Sequence, residues 1–168
     1  DPESIKPKKT DQKALVIGSG PSGLECSMQL ARRGYHVTLA EADNKLGGRV
    51  IFESGLKGLS AWKRVSDNRL YEIQQKNNIE IYKESELTLS HINELGIDNI
   101  FLATGSSWRK DGIGRSRRKP IQGLETLKVL TPEMAIKESK NLSGPIVVYD
   151  DEQGYLAGVI ADHLSSDD

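Results

Sequence analysis

Short apolar runs recur along the chain, and each is followed by glycine or polar residues. Residues 14–17 are wholly apolar and residues 99–103 almost wholly so, which is typical of strands buried on both faces of a parallel sheet. Residues 36–40 and 79–82 predict two more strands, because β-branched or alternating apolar residues fill them. The pattern therefore predicts a sheet of parallel strands.

Amphipathic stretches separate these runs. The first helix is predicted to begin at Pro21, which suits a first turn, and to end before Gly34, where a C-cap belongs. A second helix is predicted from residue 62 to about residue 77. The alternation of strands and helices predicts an α/β fold of the Rossmann-like, FAD- or NAD(P)-binding type, with helices on both faces of the parallel sheet.

The second half of the chain is less regular. Residues 106–123 are polar and rich in arginine and lysine, which favours a solvated surface loop over a phosphate-binding patch. A helix over residues 132–140, a strand over 145–149 and a helix over 154–164 follow. We interpret these as a connecting helix and the start of a second dinucleotide unit, truncated before its next strand. The predicted organisation is a linker (1–12), an ADP- or FAD-type dinucleotide-binding domain (13–123) and this degenerate second unit (124–168).

Charge and hydropathy narrow the class of protein. The 168 residues carry 23 Lys and Arg against 24 Asp and Glu, and the formal net charge of -1 argues against nucleic acid or an anionic membrane as a partner. No apolar stretch approaches the roughly 18 residues of a membrane span. We therefore expect neither a nucleic-acid-binding nor a membrane protein.

Reactive side chains are few. The single cysteine, Cys26, excludes an internal disulfide framework and favours a reducing, cytoplasmic setting, and we expect it to be a small core residue of the first helix. His36, His91 and His163 lack the spacing of a metal site or a catalytic triad. We accordingly predict no catalytic residue and no metal ligand in this chain.

A glycine-rich motif joins the first predicted strand to the first predicted helix. Its residues are Gly18, Ser19, Gly20, Pro21, Ser22 and Gly23. In a GxGxxG string of this kind, Gly18 allows a tight turn, Gly20 lets the backbone approach a pyrophosphate, and Gly23 lets the helix lie close to the strand. Amides at the start of the helix then face the phosphates and neutralise part of their charge. The motif predicts nucleotide binding.

An acidic residue, Glu41, follows the second predicted strand about twenty residues beyond the motif, as the dinucleotide fingerprint requires. Its carboxylate is expected to accept hydrogen bonds from both hydroxyls of an adenosine ribose and to repel a 2′-phosphate at the same point. Lys45 and Arg49 lie close enough in sequence to soften that repulsion. The residue therefore favours an ADP-containing cofactor without the 2′-phosphate.

Two later motifs extend this pattern. Glu41 is followed by Ala42, Gly47, Gly48 and Arg49, and the fourth predicted strand ends in Ala103, Thr104 and Gly105. With the glycine-rich motif, the order of these residues resembles the flavoprotein disulfide-reductase-like superfamily. The resemblance implies that the first motif and the Gly-Gly segment hold the ADP half of FAD, and that the Ala-Thr-Gly segment closes the sheet beside it. All of these residues are therefore expected to belong to the cofactor-binding site.

Further segments narrow the resemblance. Residues 61–65, 103–112, 120–123 and 131–133 are similar to the C-terminal part of the trimethylamine dehydrogenase family, which includes dimethylamine and histamine dehydrogenases. The resemblance implies a parent oxidoreductase whose N-terminal FMN-binding barrel, with a 4Fe-4S cluster, carries the catalytic residues. It implies for this chain a structural role beside that barrel and the docking of an electron partner such as an electron-transfer flavoprotein.

The choice of nucleotide depends on the second unit. There Asp150, Asp151 and Glu152 replace the early glycines of a pyridine-nucleotide fingerprint, and their charge and Cβ atoms oppose a pyrophosphate. We interpret this as a lost NAD(P)H site, as in the amine dehydrogenase branch, and expect ADP or FAD in the first site, with ADP held better than a flavin. One alternative is the FAD and NAD(P)H domain of a dienoyl-CoA reductase-like enoate reductase. Another is a stand-alone regulatory nucleotide-binding module.

Overall fold

The computed structural model describes residues 11–97 and 99–165, and the chain divides into two compact units. Of the described residues, the first unit comprises 11–51, 61–97 and 99–105, and the second comprises 52–60 and 106–165. Residues 1–10 of the predicted linker lie outside the described residues. Each unit has its own buried apolar cluster.

The first unit is built on a sheet of four parallel strands in the order β3-β2-β1-β4. The strands are β1 (Lys13–Ile17), β2 (His36–Ala40), β3 (Ile79–Tyr82) and β4 (Asn99–Leu102). In the middle of the sheet, Leu15 of β1 pairs with Thr38 and with Ile100. β1, apolar from Ala14 to Ile17, is therefore a central strand, and the predicted α/β, Rossmann-like fold is confirmed.

Four helices lie between these strands in the sequence, and the first of them packs on the sheet through its apolar face. They are α1 (Pro21–Arg32), α2 (Val50–Glu53), α3 (Lys63–Gln74) and α4 (Leu89–Leu95). α1 contacts β1, β2 and β4, and α3 packs against α1. Alternate positions of β1 and β2 meet one face of α1, because successive strand side chains point to opposite faces and helical ones recur every three to four residues. The resulting core is Val16, Leu24, Met28, Ala31, Val37, Leu39 and Ile73.

The end of α1 is fixed by two independent features. Gly34 has φ +97°, the left-handed conformation that glycine adopts readily, so it ends the helix where the sequence predicts. The Asn78 side-chain amide donates hydrogen bonds to the carbonyl oxygens of Ala31 (3.0 Å) and Tyr35 (2.8 Å). The turn into β2 is therefore held by a residue that lies just before β3.

The second unit has helices α5 (Pro132–Glu138) and α6 (Tyr155–Ser165). α5 begins as predicted, because the Thr131 hydroxyl accepts a hydrogen bond from the Met134 amide (3.3 Å) and Pro132 occupies the first turn. The buried apolar core of the second unit consists of Leu56, Leu59, Ala135 and Ile160. Short 3-10 turns of this unit lie at Leu124–Thr126 and Ser139–Asn141, and a third, at Ser60–Trp62, lies at the sequence boundary between the two units.

The predicted strand at residues 145–149 is wrong. No strand is formed there, and no described strand pairs with this segment. Its apolar side chains are exposed, with Val147 at 91% and Ile146 at 47%. A strand requires a neighbouring backbone for its hydrogen bonds, and β-branched composition alone does not supply one. The helix predicted after it is present as α6.

Cys26 and His91 both have roles in packing or capping rather than in a reactive site. Cys26 is half-buried against the first core, and burial raises the pKa of its thiol. His91 forms a capping box at the start of α4: its amide donates to the Thr88 hydroxyl, and the Thr88 amide donates to His91 Nδ1, both at 3.3 Å.

Among the residues that the structure describes, none form a group of three His, Cys, Asp or Glu side chains able to hold a metal ion. Within those same ranges, no helix is both long enough and apolar enough to cross a membrane.

Candidate nucleotide-binding site

The glycine-rich motif forms the turn between β1 and α1. β1 ends at Ile17 and α1 begins at Pro21, with Gly20 as its N-cap in an extended conformation. The first helical hydrogen bond runs from the Leu24 amide to the Gly20 carbonyl oxygen (2.9 Å). The amides of the first turn of α1 therefore have no carbonyl partner within the helix, and helix N-termini bind anions through amides in this position.

Gly18 occupies a position that other residues do not tolerate. Its φ is +99°, and a Cβ there would overlap the Ala103 carbonyl oxygen and lie 3.1 Å from the Thr104 Cα. The Gly18 amide donates to the Ala40 carbonyl oxygen (2.8 Å), and the Ala103 amide donates to the Ile17 carbonyl oxygen (2.8 Å). The tight turn predicted at Gly18 therefore packs between the carboxyl ends of β2 and β4.

The other two glycines of the motif differ from each other. A Cβ on Gly23 would overlap the Gly18 carbonyl oxygen and lie 2.9 Å from its carbon, so α1 passes directly over the end of β1. A Cβ on Gly20 would meet no atom within 4 Å. Gly23 is thus required by packing, whereas Gly20 faces open space from which an anionic group can approach the backbone.

The Gly-Gly segment folds back onto this loop. Gly47 and Gly48 have φ values of +124° and +59°. The Gly47 amide donates to the Ser19 carbonyl oxygen (2.9 Å), and a Cβ on Gly48 would lie 2.9 Å from the Gly20 Cα. The structure therefore brings the first and second glycine motifs together, as expected for two parts of one site.

The remaining predicted site residues lie at the border of this loop. Ala42 and Arg49 are exposed on either side of the segment that carries Gly47. Ala103 and Thr104 adjoin Gly18, as described above. Gly105 is exposed, lies three residues beyond the end of β4 and has φ +72°.

The Glu41 carboxylate lies directly beside the glycine loop. Its Oε2 accepts hydrogen bonds from the Ser19 amide (2.7 Å) and from the Ser19 hydroxyl (2.5 Å). Its Oε1 accepts one from the Asp43 amide (2.9 Å). Burial raises the pKa of Glu41, but the Asp43 amide, both Ser19 groups and the Ala42 amide lower it, and the net pKa lies below its ordinary value. The side chain is therefore ionised at neutral pH.

Acid is expected to destabilise the first unit through Glu41. Because its pKa is lower in the folded chain, the stability from these hydrogen bonds is fully present above the ordinary carboxyl pKa and is lost as the pH falls through the lowered pKa. Urea unfolding of the wild type and of Glu41→Gln, from about pH 7 to about pH 3, measures this contribution. The difference in free energy of unfolding should shrink toward acid, and a constant difference would contradict the prediction.

Two features of the site were missed in the sequence. The Ser19 side chain and the Asp43 amide both bind Glu41, although the motif assigned no role to either group. One signal was available: the carboxyl ends of two neighbouring parallel strands meet at the same edge of a sheet, so the residues that follow the two predicted strands were expected to lie close together. The observed pairing of Ile17 with Ala40 agrees with this.

Comparison with known proteins places this geometry in a family. Residues 12–141 match the family model described as pyridine nucleotide-disulphide oxidoreductase. The chain is 32% identical to dimethylamine dehydrogenase from Hyphomicrobium sp. (strain x), over 98% of this chain and 23% of that protein. The predicted resemblance to amine dehydrogenases is therefore confirmed.

Two solved structures share the fold over nearly the whole chain. The 6-hydroxypseudooxynicotine amine oxidase from Pseudomonas geniculata N1 is 40% identical with a TM-score of 0.90, covering 98% of this chain and 25% of that one. Histamine dehydrogenase from Rhizobium sp. 4-9 is 44% identical with a TM-score of 0.88, covering 96% of this chain and 25% of that one. The chain spans about a quarter of the length of these relatives. It is homologous to these enzymes and belongs to the pyridine nucleotide-disulphide oxidoreductase family.

Proposed function

We propose that this chain binds ADP, either free or as the ADP half of FAD, within a larger amine dehydrogenase-like oxidoreductase. The observation that carries the proposal is one ionised carboxylate, Glu41, hydrogen-bonded to Ser19 of the glycine loop, next to Gly20, whose Cβ direction is open. A nucleoside diphosphate needs both features: backbone amides for its phosphates and an acceptor for its ribose. The proposed binding domain is residues 13–123, with residues 124–168 forming the degenerate second unit.

The residues at this loop fit the ADP moiety. A pyrophosphate would lie over Gly20, where even a Cβ would meet no atom within 4 Å, and the α1 N-terminus adds a favourable dipole. The ribose would lie at Glu41, which accepts hydrogen bonds from hydroxyl donors when ionised. If FAD is the nucleotide, the flavin supplies redox chemistry when bound, and this chain's residues hold its ADP half. The same carboxylate would repel a 2′-phosphate, so the site favours nucleotides that lack one.

Carboxylates in the second unit support the proposal that this unit does not bind a pyridine nucleotide. The Asp151 carboxylate accepts a hydrogen bond from the Ser116 amide (3.1 and 3.2 Å to its two oxygens), and a Cβ on Gly114 would overlap it. Asp150 accepts one from the Gln153 amide (2.9 Å), two residues before α6 begins. Carboxylates thus occupy the amide donors and the space near a helix start, where a pyrophosphate would be repelled. This favours the amine dehydrogenase branch over an NAD(P)H-dependent enoate reductase.

The proposal leaves the chemistry on substrate to the rest of the parent protein. We propose that an N-terminal FMN barrel with a 4Fe-4S cluster supplies the catalytic groups, and that this chain alone is not catalytic. An electron-transfer flavoprotein is the proposed electron partner, and the cytoplasm the proposed compartment. The basis is homology to amine dehydrogenases four times as long as this chain.

Calorimetric titration of the 168-residue chain tests the proposal. ADP should bind saturably near one equivalent, whereas ADP-ribose carrying a 2′-phosphate should bind at least about tenfold more weakly because of charge repulsion at Glu41. NADH should produce no second binding event. The absence of heat with ADP would overturn the proposal, and equal affinity for the 2′-phosphorylated ligand would overturn its ribose assignment.

A further inference from the structure

We propose that Arg69 of α3 strengthens the binding of phosphates at the glycine loop by neutralising Glu25 of α1. Arg69 acts through Glu25, so it is a positioning residue rather than a ligand-binding one. The inference rests on the proposed nucleotide binding and concerns an ion pair that lies outside the predicted motifs.

Glu25 lies in the second turn of α1, five residues after the N-cap Gly20. A rise of 1.5 Å per residue places its Cα roughly 7 Å along the helix axis from Gly20. The Cα–Cβ bond of a helical residue tilts toward the N-terminus of its helix, so the Glu25 side chain starts toward the first turn. Without a neutralising partner, its negative charge would repel a pyrophosphate at the start of α1 and compete with it for the positive end of the helix dipole.

The Glu25 carboxylate contacts a cation on α3 and an amide on α1. Arg69 Nε lies 2.7 Å from Oε2, and the Gln29 side-chain amide donates to Oε1 (2.7 Å). The guanidinium is itself held, because its Nη1 donates to the Val65 carbonyl oxygen of α3 (2.8 Å). The Arg69 side chain is 28% exposed and that of Glu25 39%, so water screens the pair only in part. Arg69 therefore supplies the positive charge that offsets Glu25.

A second ion pair joins the same two helices farther from the glycine loop. Arg32 Nη2 lies 2.8 Å from Glu72 Oε2, and the two side chains are exposed to a similar extent, 35% and 38%. Arg32 is the last residue of α1, seven residues after Glu25, which adds a rise of roughly 10 Å. The Arg32–Glu72 pair therefore resembles the Glu25–Arg69 pair in kind but lies about one Debye length farther from the phosphates at 0.1 M salt.

Calorimetric titration of the 168-residue chain with ADP tests the inference at low and at high ionic strength. At about 20 mM salt, Arg69→Gln should bind ADP roughly threefold more weakly than the wild type and Glu25→Gln roughly threefold more tightly, because each leaves one unpaired charge near the phosphates. The double variant Glu25→Gln/Arg69→Gln carries neither charge, so its affinity should lie within about 1.5-fold of the wild type. At about 500 mM salt, screening should reduce all of these differences to less than about 1.5-fold.

Arg32→Gln and Glu72→Gln are the matched controls, because they change the net charge in the same way at the far end of α1. Each should change the affinity for ADP by less than about 1.5-fold. An effect of Arg32→Gln as large as that of Arg69→Gln would overturn the inference. So would a double variant as weak as Arg69→Gln, because loss of a purely structural contact is not rescued by removing its second partner.

The outcomes separate this inference from the proposed function. If the wild type binds ADP and Arg69→Gln binds it equally well at low salt, the role of Arg69 is overturned and nucleotide binding stands. If the wild type does not bind ADP, both are overturned. Glu25→Gln carries the opposite expectation, so an Arg69→Gln protein that fails to fold does not remove the test.

Discussion

Gly23→Ala is expected to lower the free energy of unfolding of the first unit by about 3 kcal/mol, near the upper end of the usual cost of overpacking. The added Cβ would overlap the Gly18 carbonyl oxygen, a backbone atom that cannot rotate away as a side chain can. Relief requires α1 to move off the end of β1, which opens the core around Leu24 and Val16. Urea unfolding followed by circular dichroism measures the loss.

Gly20→Ala is the matched control for this prediction. Gly20 has φ −62°, and a Cβ there meets no atom within 4 Å, so the substitution should lower the free energy of unfolding by no more than about 1 kcal/mol, the usual cost of a poorer N-cap residue. Its effect should appear in ADP titration instead, because the methyl group occupies the side from which a pyrophosphate would approach. Equal unfolding midpoints for Gly23→Ala and the wild type would mean that α1 does not rest on β1 as closely as described.

Glu41→Ala is expected to weaken ADP binding by roughly tenfold to a hundredfold, the usual range for a lost hydrogen bond to a charged group. It removes the proposed ribose acceptor and leaves the Ser19 and Asp43 donors without it. Because Ser19 is completely buried, the variant should also lose about 1–3 kcal/mol of stability from its unsatisfied hydroxyl and amide. Calorimetry on the folded variant separates the two effects.

Glu86→Ala is the control for the change in charge. Glu86 is an exposed carboxylate beyond β3, so its loss changes the net charge as Glu41→Ala does without touching the glycine loop. Its affinity for ADP should equal that of the wild type. If the Glu41→Ala protein bound ADP as tightly as the Glu86→Ala protein, the assignment of the ribose to Glu41 would be wrong.

Much of the first unit could be predicted from the sequence because its signals are local. The apolar run of β1, the proline that opens α1 and the glycine that ends it each act within a few residues of their own position. The contact between the two glycine motifs also followed from their order, since the carboxyl ends of parallel strands meet at one edge. Over residues 13–40, the local sequence signals and the parallel order of the strands therefore predict the same structure.

The features that could not be predicted depend on distant partners. Residues 145–149 have the composition of a strand, but pairing is a property of two segments and cannot be read from one. The hydrogen bond from the Ser19 hydroxyl to Glu41 Oε2 depends on the side-chain rotamer of Ser19, which lies 22 residues away in the sequence. A sequence motif gives the proximity of such groups but not the number of donors that reach each oxygen.

The place of β1 in the sheet sets the order in which the glycine loop becomes complete as the chain leaves the ribosome. β2 follows β1 closely and can pair with it early, whereas its other neighbour, β4, is complete only at Leu102. Until then one edge of a strand that is apolar from Ala14 to Ile17 is open, which is an aggregation hazard in a nascent chain. Gly18 also lacks its Ala103 neighbour during that interval. The loop therefore reaches its folded geometry only after the fourth strand has been synthesised, and the open edge of β1 must stay protected until that moment.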